Sequence, residues 1–211
     1  MLSKRTLLFF ILIPILFSCS GDTNQKVIIV FEKPPTLKQE QELVLNLSSQ
    51  TSKTNLSKLL SNQNWIKSYL IKKNAFQPLE VFIETKDPKY IWQDRFYLDA
   101  DLTKFLYFGE YPELLHLYIP IELVDRWSQV EDQMQAVMEA YNLKIFSVFY
   151  SEAAGWTFYT ANKLQINLGS DLSFDVFQKL SLTLKYIFEK NLTPSIIDLR
   201  YKDGAALNYG K

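Results

Sequence analysis

Hydrophobic and polar positions follow two rhythms along this chain, and the switches between them mark its elements. V-I-I-V-F-E-K, Val27 to Lys33, is a short apolar run ended by Pro34-Pro35 and predicts a strand. T-L-K-Q-E-Q-E-L-V-L-N-L comes next with helical character, placing Leu37, Val44 and Leu47 on roughly one face. After the polar loop S-S-Q-T-S-K-T-N, Asn55 is placed to cap a short helix L-S-K-L-L-S. W-I-K-S-Y-L-I-K-K, Trp65 to Lys73, reads as a strand. A turn at Gln77-Pro78 leads to L-E-V-F-I-E-T, a strand with Leu79, Val81 and Ile83 on one face. The order is strand, helix, helix, strand, strand, closed by a linker around Asp87-Pro88.

From Tyr90 the rhythm changes. Y-I-W-Q and R-F-Y-L-D predict short strands. P-I-E-L-V-D-R-W-S-Q-V-E-D-Q-M-Q-A-V-M-E-A-Y predicts one long helix with an apolar stripe of Leu123, Trp127, Val130, Met134, Val137 and Tyr141, packed on a sheet. K-I-F-S-V-F-Y reads as a strand. G-W-T-F-Y-T and K-L-Q-I-N-L-G, separated at Ala161-Asn162, read as a hairpin. D-L-S-F-D-V-F-Q-K-L-S-L-T-L-K-Y-I-F-E-K predicts a second amphipathic helix, capped near Ser173, with Phe177, Leu180, Leu184, Ile187 and Phe188 inward. The expected fold class is α+β: residues 1–26 as an N-terminal segment, 27–88 as a small βααββ unit, and 89–211 as an antiparallel-sheet β domain with helices on one face.

The last stretch, Ile196 to Lys211, alternates again. Ile197, Leu199, Tyr201, Ala205, Leu207 and Tyr209 share one parity; Asp198, Arg200, Lys202 and Asn208 share the other. A two-residue turn at Asp203-Gly204 would put the apolar residues after it on the face of Asp198, Arg200 and Lys202. Register therefore favours one continuous terminal strand, bent at Gly204. Its outer side has no later segment to pair with, and an open edge invites pairing with another chain.

Composition narrows the chemistry. The chain has 211 residues, 47% hydrophobic and 15% aromatic, enough for folded cores. Lys+Arg and Asp+Glu both total 23, so no basic excess points to nucleic acid. The single histidine, His116, lies among apolar residues in E-L-L-H-L-Y and reads as structural. The single cysteine, Cys19, lies in the N-terminal segment, so no Cys/His pair and no zinc cluster is expected. The six glycines form no phosphate loop. Carboxylates alone could support glycosidase chemistry, but sequence spacing shows no facing pair. The expectation is a protein that is not an enzyme, with no catalytic residues, metal site, cofactor or small-molecule substrate.

The N-terminus begins with Lys4 and Arg5, followed by an apolar run from Leu7 to Cys19 that contains Pro14. As a helix it would span about 20 Å, against ~30 Å for a bilayer core. That suits the core of a signal peptide. L-F-S-C, Leu16 to Cys19, also resembles a lipoprotein processing site, with Cys19 as the lipidated residue. The alternative is a short uncleaved anchor with Lys4 and Arg5 in the cytoplasm. Both readings export the chain beyond Ser20.

Three stretches together resemble the FtsQ/DivIB family of bacterial cell division proteins. W-I-K-S-Y-L-I-K-K-N-A-F-Q-P-L-E-V-F-I-E-T-K-D-P-K-Y-I-W resembles the end of that family's POTRA domain and its exit strand. G-W-T-F-Y-T-A-N-K-L-Q-I-N-L-G resembles its central hairpin, and I-D-L-R-Y-K-D-G-A-A-L-N-Y its terminal strand. The resemblance implies a scaffold of the inner membrane, with the bulk of the chain periplasmic and at the division septum. It implies FtsB-like and FtsL-like single-pass partners and, through them, the wall synthases FtsW and FtsI. The partner-binding surface it implies falls on Arg200, Tyr201, Asp203, Gly204 and Tyr209. The chain departs from the family at Leu102, where a glycine often follows the D-x-x of the β domain's first turn, and at Tyr111-Pro112. An exported lipoprotein of the same architecture, serving another envelope assembly, is the alternative reading.

Overall fold

The computed structural model describes residues 27–33, 38, 41–43, 53–73, 78–106 and 113–210, in two compact units that meet in sequence between Asp87 and Pro88. In the first, β1 (Val27–Phe31), β2 (Ile66–Lys72) and β3 (Leu79–Thr85) form a sheet in the order β1-β3-β2. β1 runs parallel to β3, and β2 is the antiparallel neighbour of β3 on its other side. Leu79, Val81 and Ile83 are buried as their alternation predicts, as are Leu43, Leu56, Leu60 and Trp65. The helix predicted over 36–47 lies mostly outside the described residues, although 38 and 41–43 are helical. Helix α1 (Lys53–Ser61) starts ahead of Asn55, which therefore stands in its first turn and not at its cap.

Among its described residues the second unit has nine strands: β4 (Tyr90–Trp92), β5 (Phe96–Leu98), β6 (Lys104–Leu106), β7 (Leu115–Tyr118), β8 (Ile145–Ser151), β9 (Gly155–Thr160), β10 (Gln165–Gly169), β11 (Ile196–Asp198) and β12 (Ala206–Asn208). Their order is β12-β11-β10-β9-β8-β7-β4-β5-β6. The expectation of an antiparallel sheet is corrected here. β4–β7, β7–β8 and β10–β11 are parallel, so the sheet is mixed. Each parallel pair joins strands separated in sequence by a hairpin or a helix, which returns the chain to the same end of the sheet. β6 and β7 have no counterpart among the strands expected from the sequence.

Helices α2 (Val124–Ser128), α3 (Glu131–Glu139) and α4 (Phe174–Glu189) pack into one core with the strands. Trp127, Met134 and Met138 meet Trp156, Phe158, Ile166, Leu180, Leu184 and Ile197 there, so all three helices cover the same face of the sheet. The single helix predicted from Pro120 to Tyr141 is broken at Gln129-Val130, with a 3-10 turn over Ile121–Leu123 before it. The apolar stripe is kept, because its spacing of three and four suits a straight helix and two short ones alike. After the break α3 starts at Glu131, whose buried carboxylate accepts a hydrogen bond from the Tyr90 hydroxyl at 2.5 Å and lies 3.2 Å from the Lys89 ammonium. A carboxylate in a helix's first turn also meets the positive end of its dipole. In α4, Phe177, Leu180, Leu184 and Ile187 are buried as predicted. Phe188 is not; it is exposed and packs its ring on Tyr141 at 4.9 Å.

Leu102 takes φ +58°, the left-handed conformation, in a turn closed by its amide on the Asp99 carbonyl at 3.0 Å. That conformation explains a glycine preference at this place. Leucine is retained here with its side chain packed against the core.

Candidate partner-binding edge

The chain ends in a hairpin. β11 and β12 pair antiparallel, with Ile196 opposite Asn208, Ile197 opposite Leu207 and Asp198 opposite Ala206. The expected continuous strand from Ile196 to Lys211 is thus corrected. The register argument failed because it assumed a two-residue turn at Asp203-Gly204, which pairs odd positions with even. The actual connection runs over residues 199–205, an odd number, and pairs odd with odd. Ile197 and Leu207 therefore share the core face without a continuous strand.

β12 ends the sheet order. It pairs with β11 on one side, and nothing among the described residues pairs with its other side. The expected open edge is present, on three residues at the outside of a hairpin.

The expected site residues surround that edge unequally. Tyr201 is 59% exposed in the connecting loop, and Tyr209 is 52% exposed just beyond β12. Neither ring is committed to the core. Asp203 is exposed, and a Cβ built on Gly204 would meet nothing within 4 Å. Arg200 is not free to reach outward. Its Nε donates to Asp198 Oδ1 at 2.9 Å, and its Nη2 to Asp198 Oδ2 at 2.5 Å. The Arg200 backbone amide also donates to Asp198 Oδ1, at 3.1 Å. This guanidinium holds the Asp198 carboxyl below the usual carboxylate range, against the upward push of partial burial.

Two features had weak or no signal in the sequence. Asp198 stands two residues before Arg200, a spacing that places both on one face of an extended segment, but nothing marked them as partners. Lys179 lies on α4 between the buried Phe177 and Leu180, and its Nζ donates to the carbonyls of Leu199 at 3.1 Å and Tyr201 at 2.7 Å. A shallow cleft of about 390 Å³ opens beside these residues, lined among others by Gly155, Gly169, Lys179, Arg200 and Tyr201. Gly155 (φ +74°) is fixed by close approach: a Cβ there would lie 2.1 Å from the Gly169 carbonyl group.

His116 lies on β7, with Nδ1 2.9 Å from Asp94 Oδ1 and its ring packed on Phe146 at 4.9 Å. The Tyr118 hydroxyl donates to the other Asp94 oxygen at 2.7 Å. The tyrosine is thus bonded to the carboxylate, not to the imidazole that a base-activated nucleophile would need. Among the described residues no group of three His, Cys, Asp or Glu is arranged to hold a metal, and no helix is long and apolar enough to cross a membrane. Cys19, and the N-terminal segment with it, lies outside the described residues.

The arrangement defines an α+β protein whose mixed sheet stops at an accessible terminal hairpin flanked by exposed tyrosines. In sequence the chain is similar to the cell division protein FtsQ of Aliivibrio fischeri, with 22% identity over 157 residues. That match covers 69% of this chain and 57% of the relative, so the chain spans little more than half the relative's length. No family model matches the chain.

Proposed function

We propose that this protein is a non-enzymatic scaffold of bacterial cell division whose terminal edge accepts a strand from an FtsB-like partner. One observation carries the reading: β12 closes the sheet with its outer side unpaired among the described residues, between two tyrosines that are more than half exposed. An added strand gains main-chain hydrogen bonds along such an edge, and neighbouring side chains supply the selectivity. The similarity to an FtsQ protein supports the cellular setting.

In this reading residues 27–88 form a POTRA-like domain and residues 1–26 hold the chain at the inner membrane, with its bulk periplasmic and at the septum. FtsB-like and FtsL-like proteins bind the β domain and bring FtsW-like and FtsI-like wall synthases. Arg200 supports the hairpin through its pairing with Asp198, while Tyr201 and Tyr209 face the partner.

Tyr201→Ala and Gly204→Trp test the edge. Both should leave the melting temperature near that of wild type, since neither position carries core packing. Both should weaken retention of the cognate FtsB protein, with Tyr201→Ala costing about 2 kcal/mol. Normal retention by two folded variants would defeat the strand-addition reading.

The Leu16–Cys19 stretch favours a second reading, an exported lipoprotein of the same architecture serving another envelope assembly. Mass spectrometry of the mature N-terminus separates the two: diacylated Cys19 supports the lipoprotein, and intact Met1 supports an uncleaved anchor. A fluorescent fusion away from midcell would count against a division role.

A further inference from the structure

We infer that Lys179 is a positioning residue for the terminal edge, fixing the 199–205 loop so that Tyr201 and β12 are presented in one arrangement. This rests on the strand-addition reading above. The loop connects β11 to β12, and its residues from Tyr201 to Asp203 are exposed. Such a segment loses conformational freedom when a partner binds unless something has ordered it beforehand. Two ties do so. Asp198 clamps Arg200 from within the hairpin. Lys179 reaches from α4, about twenty residues earlier in the chain, to the carbonyls on either side of Arg200, those of Leu199 and Tyr201.

The geometry suits a long cationic side chain in this place. Lys179 is half-buried on α4, and its ammonium offers three donors at one point. Two of them meet carbonyls that face no strand partner in the hairpin register, which begins at Asp198 and Ala206. Bonds with a charged donor are stronger than neutral ones. A partner that needs the ordered loop sees its apparent affinity divided by the fraction of molecules in that state. Lys179 raises that fraction without touching the partner itself.

The test uses the full chain, with Lys179→Met, which keeps the stem and removes the donors, and Lys179→Arg, which keeps them. The readouts are thermal melting, amide exchange at residues 199–205 and binding of the cognate FtsB protein. Lys179→Met should melt near wild type, exchange faster at 199–205 and bind FtsB about tenfold more weakly. Lys179→Arg should recover most of both. Wild-type exchange and wild-type affinity in Lys179→Met would overturn the assignment of Lys179 alone, as would faster exchange with unchanged affinity. A wild-type chain that fails to bind FtsB would instead overturn the strand-addition reading on which it rests.

Discussion

Gly155 opens β9 and Gly204 lies in the loop before β12, and the structure asks opposite things of them. Gly155 has a positive φ and backbone of Gly169 where a Cβ would go. Gly155→Ala should therefore cost about 3 kcal/mol, combining strain with overpacking, and show as a clear loss of thermal stability. Gly204 has open space around it, so Gly204→Ala should change stability by no more than about 0.5 kcal/mol. Sequence alone treats the two alike. Tyr90 is a second residue with a definite role: burial first, and then the Glu131 carboxylate, push its phenol above the usual tyrosine range, so it remains the donor in that bond. Tyr90→Phe leaves Glu131 buried with Lys89 and should cost about 1–3 kcal/mol in denaturant unfolding.

At the scale of elements, the terminal hairpin carries the Asp198–Arg200 ion pair beside its short ladder. The Asp198 carboxyl lies below its ordinary range because it is charged against Arg200, so the folded state favours the deprotonated form. The resulting stability is fully present above the unfolded value of roughly 4 and is lost as pH falls through the lower folded value. The Arg200 amide, bonded to Asp198 Oδ1, should report this by a shift that titrates below the ordinary aspartate range. Titration at the ordinary value would mean that the pair contributes nothing in solution. The divided helix teaches a related lesson. Its apolar stripe was legible from Leu123 to Tyr141, but the division lies where a buried carboxylate from the helix meets a tyrosine and a lysine of the β4 region.

At the scale of the molecule, the second unit contains its own core, from Tyr90 and Leu98 through Trp127, Trp156 and Phe158 to Ile197 and Leu199. A core that reaches from the first strand of the unit to the terminal hairpin should fold cooperatively without residues 1–87. Residues 88–211 expressed alone should give a single melting transition. On the proposed function they should also keep FtsB binding, whereas loss of binding with an intact transition would place part of the interface elsewhere in the chain.

The sequence by itself determined whatever depends on neighbours a few residues away. β3 from Leu79 to Thr85, the hairpin of β9 and β10, and the inward face of α4 at Phe177, Leu180, Leu184 and Ile187 all follow from local period and turn chemistry, whereas the period put Tyr201 and Tyr209 with the buried Ile197 and Leu199 and the fold exposes them. Tertiary structure decided the rest, because it depends on groups that approach only after the chain has folded back. The mixed order of the sheet follows from crossovers that no local period encodes. The terminal hairpin follows from the parity of a loop whose length is set by where β11 docks against β10. Arg200 is paired within its own segment because Asp198 is fixed in β11 two residues before it, and Lys179 enters the candidate site because α4 lies within reach of two loop carbonyls. Both are charges captured by nearby polar groups, and such capture depends on distances in space that spacing along the chain does not specify.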